Sequence, residues 1–278
     1  MSITDIAGTF ELHNGVEMPY FGLGVFKSKE GQEVVNAIKW AIDAGYRHID
    51  TAAIYRNEEG VGHGIRESGI DRKDVFVVSK VWNNAQGYDS TLKAFDESLR
   101  KLKMDYLDLY LVHWPKGHPR STETCKALEH LYRDGRVRAI GVSNFLQHHL
   151  ETLLPHCEIV PMVNQMEFHP KLIQQPLLDF CTEKGIVYEA WSPIMKGEVL
   201  EIPILQELGK KYDKSPVQIT LRWDLQKGVV TIPKSSKKER IESNAEIFDF
   251  ELTGEEMAEI DSLDQGYRTG PDPDNFDF

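Results

Sequence analysis

Four polar side chains, Asp50, Tyr55, Lys80 and His113, stand at or just beyond the ends of three successive strand-like runs, RHID, VFVVSK and LDLYLVH. A phenol, an ammonium, a carboxylate and an imidazole gathered in one place can make a tyrosine a proton donor near neutral pH. The ammonium favours the phenolate and is expected to lower the tyrosine pKa from about 10, while the carboxylate keeps the lysine charged and oriented. The imidazole would orient a carbonyl or relay a proton. Taken singly, these residues read as a helix N-cap, a half-buried aromatic, a solvated strand end and a core histidine. Their ordered arrival on strand ends is what points to a site.

Such a site requires elements that bring strand ends together, and short β-branched runs alternate here with longer amphipathic ones. FGLGVF, YRHID, VFVVSKVW, YLDLYLVHW, VRAIGVSN, MVNQME, IVYEAWS and GVVTIPK read as strands. Between them, EGQEVVNAIKWAIDAG carries apolar residues three and four apart and ends at a glycine, as a helix does. STLKAFDESLRKL, TCKALEHLYRDG, HLETLL, PLLDFCTEKG and KKERIESNAEIF read as further helices. Eight alternations without a compositional break predict an α/β fold with one (β/α)8 TIM barrel over residues 1–278, whose strand C-termini share a rim. Asn14-Gly15 between two short extended runs is a type I′ hairpin signal, and the hairpin is expected to cap the barrel bottom. IPILQELGKKY and TGEEMAEIDSL suggest extra helices towards the C-terminus. Residues 264–278, DQGYRTGPDPDNFDF, are rich in Pro, Gly and Asp and read as a tail over the barrel mouth.

The 32 Lys+Arg against 44 Asp+Glu give a net charge of −12, which argues against a nucleic-acid partner and confines any anion site to a local basic cluster. Cys125, Cys157 and Cys181 are odd in number and lack CxxC spacing, which fits reduced apolar fillers. MSITDIAGTF lacks a secretory pattern, and no apolar run approaches the roughly 18 residues of a membrane span. A cytoplasmic protein without a membrane partner is expected. His118, His130, His148, His149 and His169 show no tight ligand spacing, so no metal is expected.

A dinucleotide site of the Rossmann kind is disfavoured, because GVGHG (60–64) lacks the GxGxxG spacing and sits inside a predicted helix. Nor is there a Walker A motif. The basic cluster instead follows the last strand: Lys234, Ser235 and Ser236 lead into a helix carrying Arg240 and Asn244. This is either a phosphate site after a late barrel strand or a capped helix with a solvated basic face. GVSNF has Phe145 where a serine-hydrolase elbow needs glycine, which removes that reading.

GYRHIDTAAIYRNEEGVG, VSKVWN, His113-Trp114, GVSNF and IPKSSKKERIESNAEI, in that order over nearly the whole chain, resemble the aldo-keto reductase family. The resemblance is closest to its short-loop members, such as 2,5-diketogluconate reductase, glyoxal and methylglyoxal reductases and protozoal prostaglandin F synthases, a subgroup that GPDPDNFDF also resembles. It implies a (β/α)8 barrel, NADPH, and a catalytic tetrad on Asp50, Tyr55, Lys80 and His113. It further implies that Lys234, Ser235, Ser236 and Arg240 hold the 2′-phosphate and that Asn244 addresses the adenine. Trp191, where many relatives have tyrosine, would stack on the nicotinamide, with Ser143, Asn144, Gln165 and Ser192 around it. Phe26, Trp82, His113 and Trp114 would line the substrate pocket.

Together these readings imply a monomer that reduces small or medium carbonyl compounds with NADPH. Two other classes have distinct signatures. A Schiff-base aldolase would use Lys80 as a nucleophile, which Asp50 opposes by keeping the amine protonated. A non-catalytic NADPH-binding sensor would have no need of an intact tetrad.

Overall fold

The computed structural model describes residues 3–278, so the first two residues of MSITDIAGTF lie outside it. Two antiparallel strands, β1 (Thr9–Glu11) and β2 (Glu17–Pro19), open the chain with Glu11 opposite Glu17. Their connection corrects the expected turn. Leu12 and Val16 still pair through Leu12 N–H to the Val16 carbonyl (2.9 Å), so His13, Asn14 and Gly15 form the loop. Gly15 takes a left-handed φ of 81° whereas Asn14 does not. A two-residue type I′ turn would need positive φ at both, and the observed form is the three-residue loop with a glycine bulge. Asn14 Nδ2 donates to the Arg138 carbonyl (3.0 Å) at the start of a barrel strand, which places the hairpin under the barrel bottom.

Eight parallel strands follow: β3 (Leu23–Gly24), β4 (His48–Asp50), β5 (Phe76–Val81), β6 (Leu107–Val112), β7 (Val137–Ser143), β8 (Val163–Glu167), β9 (Val187–Trp191) and β10 (Val230–Thr231). They pair in sequence order, and parallel bridges Phe21↔Thr231 and Gly24↔Lys234 close the first strand on the last. Every residue of β5 and β6 is buried, as strands enclosed on both faces must be. The helices α1 (Gln32–Asp43), α2 (Glu58–Glu67), α3 (Tyr88–Leu102), α4 (Arg120–Arg133), α5 (Gln147–Leu153) and α6 (Gln175–Glu183) lie between successive strands. In α1 the stripe Val34, Val35, Ile38, Ala41 and Ile42 is buried, which is the spacing its sequence showed.

The last third departs from the sequence reading. Between β9 and β10 lie two helices, α7 (Pro203–Tyr212) and α8 (Pro216–Gln226). The second is unannounced because Val217, Ile219 and Thr220 carry β-branched side chains that weaken a helical signal. Its start is nevertheless encoded: the Ser215 hydroxyl accepts from Gln218 N–H (3.2 Å), the Gln218 side chain accepts from Ser215 N–H (2.8 Å), and Pro216 sits at the first position. The helix expected over 237–248 is only α9 (Lys238–Asn244). Gln218 Nε2 takes the Ser243 and Glu246 carbonyls (2.9 and 3.2 Å), so a side chain of α8 satisfies the groups that would otherwise continue α9. Helix α10 (Gly254–Asp261) precedes a tail that folds back over residues of the barrel rim. No helix among the described residues is long and apolar enough to cross a membrane.

Candidate active site

Asp50 is the last residue of β4, Lys80 lies in β5 one residue before its end, and His113 follows β6 directly. Parallel register sets Asp50 beside Val78 and Lys80 beside Leu111, so all three side chains reach the same end of the barrel. Tyr55 arrives on a 3-10 turn, Ala53–Tyr55, after β4. Asn57 holds that turn: its Nδ2 donates to the Val25 and Ser28 carbonyls (2.9 and 3.1 Å) and its Oδ1 accepts from the Thr51 hydroxyl (2.7 Å). This buried staple ties the end of β3 to the end of β4. The sequence reading passed over it, although Asn57 lies in the motif that carried the resemblance.

Lys80 is fully buried and spends its ammonium on three acceptors: Asp50 Oδ1 and Oδ2 (2.7 Å each) and the Thr51 carbonyl (2.9 Å). Burial pulls its pKa down, yet Asp50 and Tyr55 more than offset this and hold it above the ordinary lysine value. Such an amine has no lone pair to attack a carbonyl, which removes the aldolase reading. Its nitrogen sits 5.2 Å from the Tyr55 ring centre. The Tyr55 pKa corrects the sequence expectation: burial pushes it up to about 12, outweighing the downward pull of Lys80, with Asp50 pushing in the same direction as burial. Burial outweighs the field of Lys80, so the phenol stays protonated throughout the neutral range.

The Tyr55 and His113 rings meet edge to face at 5.7 Å, and Trp82 meets His113 in the same way at 5.0 Å. Burial and the neighbouring Lys80 charge drive His113 well below the ordinary histidine pKa, so the imidazole is neutral. Phe26 packs against Tyr55 at 5.0 Å and is half exposed. Trp114, expected to face substrate, is instead covered: Phe276 and Phe278 of the tail pack on it at 4.9 and 5.2 Å, and Phe278 also stacks on Trp82 at 5.6 Å. A main-chain oxygen of Phe278 accepts from Lys116 Nζ (2.8 Å) and Asn83 Nδ2 (3.1 Å). Phe278 therefore joins the aromatic wall, at a separation in sequence that no local pattern could announce.

Around Trp191 the ends of β7, β8 and β9 form a hydrogen-bonded belt. The Ser143 hydroxyl donates to the Gln165 carbonyl (2.9 Å), and Asn144 Nδ2 donates to the His113 carbonyl (2.9 Å) and to Ser143 Oγ (3.1 Å). Asn144 Oδ1 accepts from Trp191 Nε1–H (2.9 Å). Gln165 gives both amide protons inward, to Asp50 Oδ2 (2.8 Å) and Glu189 Oε2 (2.9 Å), which leaves its Oε1 free to accept. Ser192 lies beside Thr269, with hydroxyls 3.3 Å apart. Glu167 anchors this stretch of the tail by accepting from Thr269 N–H, the Thr269 hydroxyl and Gly270 N–H (2.6, 2.6 and 3.0 Å).

The segment after β10 fits a phosphate. Arg240 is exposed, Lys234 and Ser236 are half-buried, and among the described residues neither cation pairs with a carboxylate. Ser235 is turned inwards and accepts from Lys237 N–H (3.1 Å), and Asn244 closes α9 as a buried residue. The half-exposed Trp191 face, the free acceptor on Gln165 and these two uncommitted cations match the aromatic, amide and anionic parts of a nicotinamide dinucleotide phosphate. His148 and His149 come together with Asp274 (2.8 and 3.1 Å). Leu146 N–H donates to His149 Nδ1 (3.1 Å), so the proton of the neutral ring lies on the nitrogen facing Asp274 and the cluster acts as a clasp on the tail.

The aldo/keto reductase family pattern matches residues 18–265. A glyoxal reductase of Bacillus subtilis strain 168 is 58% identical over 275 residues, covering 99% of each chain. A 9,11-endoperoxide prostaglandin H2 reductase of Trypanosoma cruzi strain CL Brener is 54% identical over 268 residues, covering 95% of this chain and 94% of that one. Among solved structures, an aldo-keto reductase from a Medee basin deep-sea metagenome library superposes with a TM-score of 0.95 at 45% identity, over 97% of this chain and all of the other. A Bombyx mori aldo-keto reductase solved in complex with NADP gives 0.89 at 37% identity, over 96% and 95%.

Proposed function

Since the chain belongs to the aldo/keto reductase family and is an NADPH-dependent carbonyl reductase, we propose that Tyr55 is its proton donor, Lys80 and Asp50 its electrostatic support, and His113 its carbonyl-orienting group. The observation that carries this is the buried Lys80, held at 2.7 Å by both Asp50 oxygens beneath the Tyr55 ring.

NADPH, when bound, supplies the hydride to the carbonyl carbon. Trp191 offers the ring face, Ser143, Asn144, Gln165 and Ser192 the polar edge, and Lys234, Ser235, Ser236, Arg240 and Asn244 the phosphate and adenine contacts. Tyr55, protonated at neutral pH, gives its proton to the carbonyl oxygen as negative charge develops there. Lys80 then faces a phenolate and stabilises it by an attraction that is strong in a dry site. A neutral His113 donates a hydrogen bond to that oxygen without competing as the acid.

For substrate class, the reading is a small or medium carbonyl compound, including dicarbonyls and keto-sugars. The short connection from β6 to α4 and the glyoxal reductase likeness support it. Phe26, Trp82 and Phe278 then form the wall that substrate meets, with Trp114 behind them, and residues 264–278 act as a cover on the barrel mouth. Reduced Cys125, Cys157 and Cys181 suit a cytosolic setting, and a monomer is the assembly we assign, which light scattering would check. Tyr55→Phe tests the central claim: NADPH consumption with a dicarbonyl should fall by on the order of a hundredfold or more, with NADPH affinity retained. Turnover within a few-fold of wild type would remove Tyr55 as the acid.

A further inference from the structure

Below the tetrad the barrel interior holds an acidic residue in an otherwise apolar strand, Glu189 in VYEAW. It is fully buried, as are the side chains around it: His48 and Asp50 from β4, Lys80 from β5 and Gln165 from β8. Val230 of β10 lies beside Glu189 in register and brings no charge, and Asp224 of α8 is turned to the Thr231 hydroxyl (2.7 Å). Asp108 of β6 reaches His48 only through its field.

The hydrogen bonds around Glu189 fix where its proton sits. His48 Nδ1 lies 3.1 Å from the Pro19 carbonyl, which can only accept, so Nδ1 carries the proton and Nε2 of the neutral ring has a lone pair. That Nε2 faces Glu189 Oε1 at 3.4 Å, and neither buried atom has a hydrogen-bond partner among the described residues. Two bare acceptors would repel, so a proton belongs between them. Glu189 Oε2 accepts from Gln165, whose other amide proton goes to Asp50. The ring is held in place: a Cβ at Gly22 would lie 2.8 Å from its Cγ, so only glycine there admits it.

We propose that Glu189 is a positioning residue for the carbonyl reduction: as a neutral acid it donates its Oε1 proton to His48 Nε2, accepts from Gln165 at Oε2, and so fixes the Gln165 carboxamide between Asp50 and the cofactor. This rests on the reading above that Gln165 addresses the nicotinamide. Burial, then the Asp50 charge, lifts the Glu189 pKa to about 8, while burial lowers that of His48 to about 4, so the pair is uncharged at neutral pH. Losing the proton would put a second carboxylate next to Asp50. Its charge raises the pKa of both Lys80 and Tyr55, making the phenol a poorer donor.

Glu189→Gln reproduces the neutral form, with an amide proton for His48 and an oxygen for Gln165, whereas Glu189→Leu removes both. Dissociation constants for NADPH from tryptophan quenching should weaken at least tenfold in the Leu variant and recover in the Gln variant. The wild-type kcat should fall above about pH 8, and this break should be absent in the Gln variant. Stability carries an independent sign. A raised carboxyl pKa means the fold binds a proton the unfolded chain has released, so wild type loses stability as pH rises from 6.5 to 8.5, relative to the Gln variant, in urea unfolding. An unchanged alkaline break or an unchanged stability difference would overturn the assignment, as would wild-type NADPH affinity in the Leu variant. Unaltered NADPH affinity in Gln165→Ala would instead refute the nicotinamide contact, leaving the stability measurement to judge the Glu189 proton separately.

Discussion

The pair Asp50–Lys80 lends itself to a double-mutant cycle whose magnitude follows from its surroundings. Asp50→Asn leaves the Lys80 ammonium fully buried with neutral acceptors alone, the Thr51 carbonyl and the introduced amide oxygen. Lys80→Met leaves a buried carboxylate whose one remaining side-chain donor is Gln165. Breaking a buried pair from either side costs about 3–5 kcal/mol, because a charge is left without its counterion in a medium that solvates it poorly. The double variant has neither charge. It should lose only about 1–3 kcal/mol, for the Thr51 carbonyl left without a donor. The two single costs should therefore exceed the double cost by at least about 3 kcal/mol. Urea unfolding at pH 7, followed by the fluorescence of the five tryptophans, reads all four corners of the cycle. Turnover should be low in all three variants, since each removes the charge that stabilises the Tyr55 phenolate or the group that maintains it. A coupling below about 1 kcal/mol would refute the reasoning, because it would mean that water screens the pair.

Three further outcomes are expected. Arg240→Ala should weaken NADPH at least tenfold while changing NADH little, because a hydrogen bond to a charged partner contributes roughly 1.5–3 kcal/mol; equal losses for the two coenzymes would place Arg240 outside the 2′-phosphate contact. Phe278→Ala removes the ring stacked on Trp82 and packed on Trp114, so kcat/KM for bulky aldehydes should rise relative to small dicarbonyls by several-fold, and an unchanged ratio would show that the tail does not shape the pocket. Because burial and the Lys80 charge hold the His113 pKa well below that of free histidine, kcat/KM should show no histidine limb near pH 6.5; a break there would mean that the imidazole is solvated and charged.

Local chemistry was enough to place the strand ends that carry the candidate site. Asp50, Lys80 and His113 sit where short β-branched runs stop, and a parallel barrel puts all such ends on one rim. The same local chemistry failed at α8, where β-branched residues obscured a helix whose capping box was nonetheless written in Ser215 and Gln218. It also misjudged the length of α9, because the side chain that ends it comes from a different helix.

The sequence by itself determined which side chains could exchange a proton, the alternation that closes eight strands, and the basic segment after the last of them. What only the tertiary structure decided is the energy of those groups. The Tyr55 pKa moves up to about 12 instead of down because burial outweighs the Lys80 field and Asp50 adds to burial. Glu189 meets His48 across the barrel, and Phe278 returns 196 positions along the chain to stack on Trp82. Desolvation and through-space pairing depend on which distant residues the closed barrel brings within a few ångströms, and no window of sequence contains that distance.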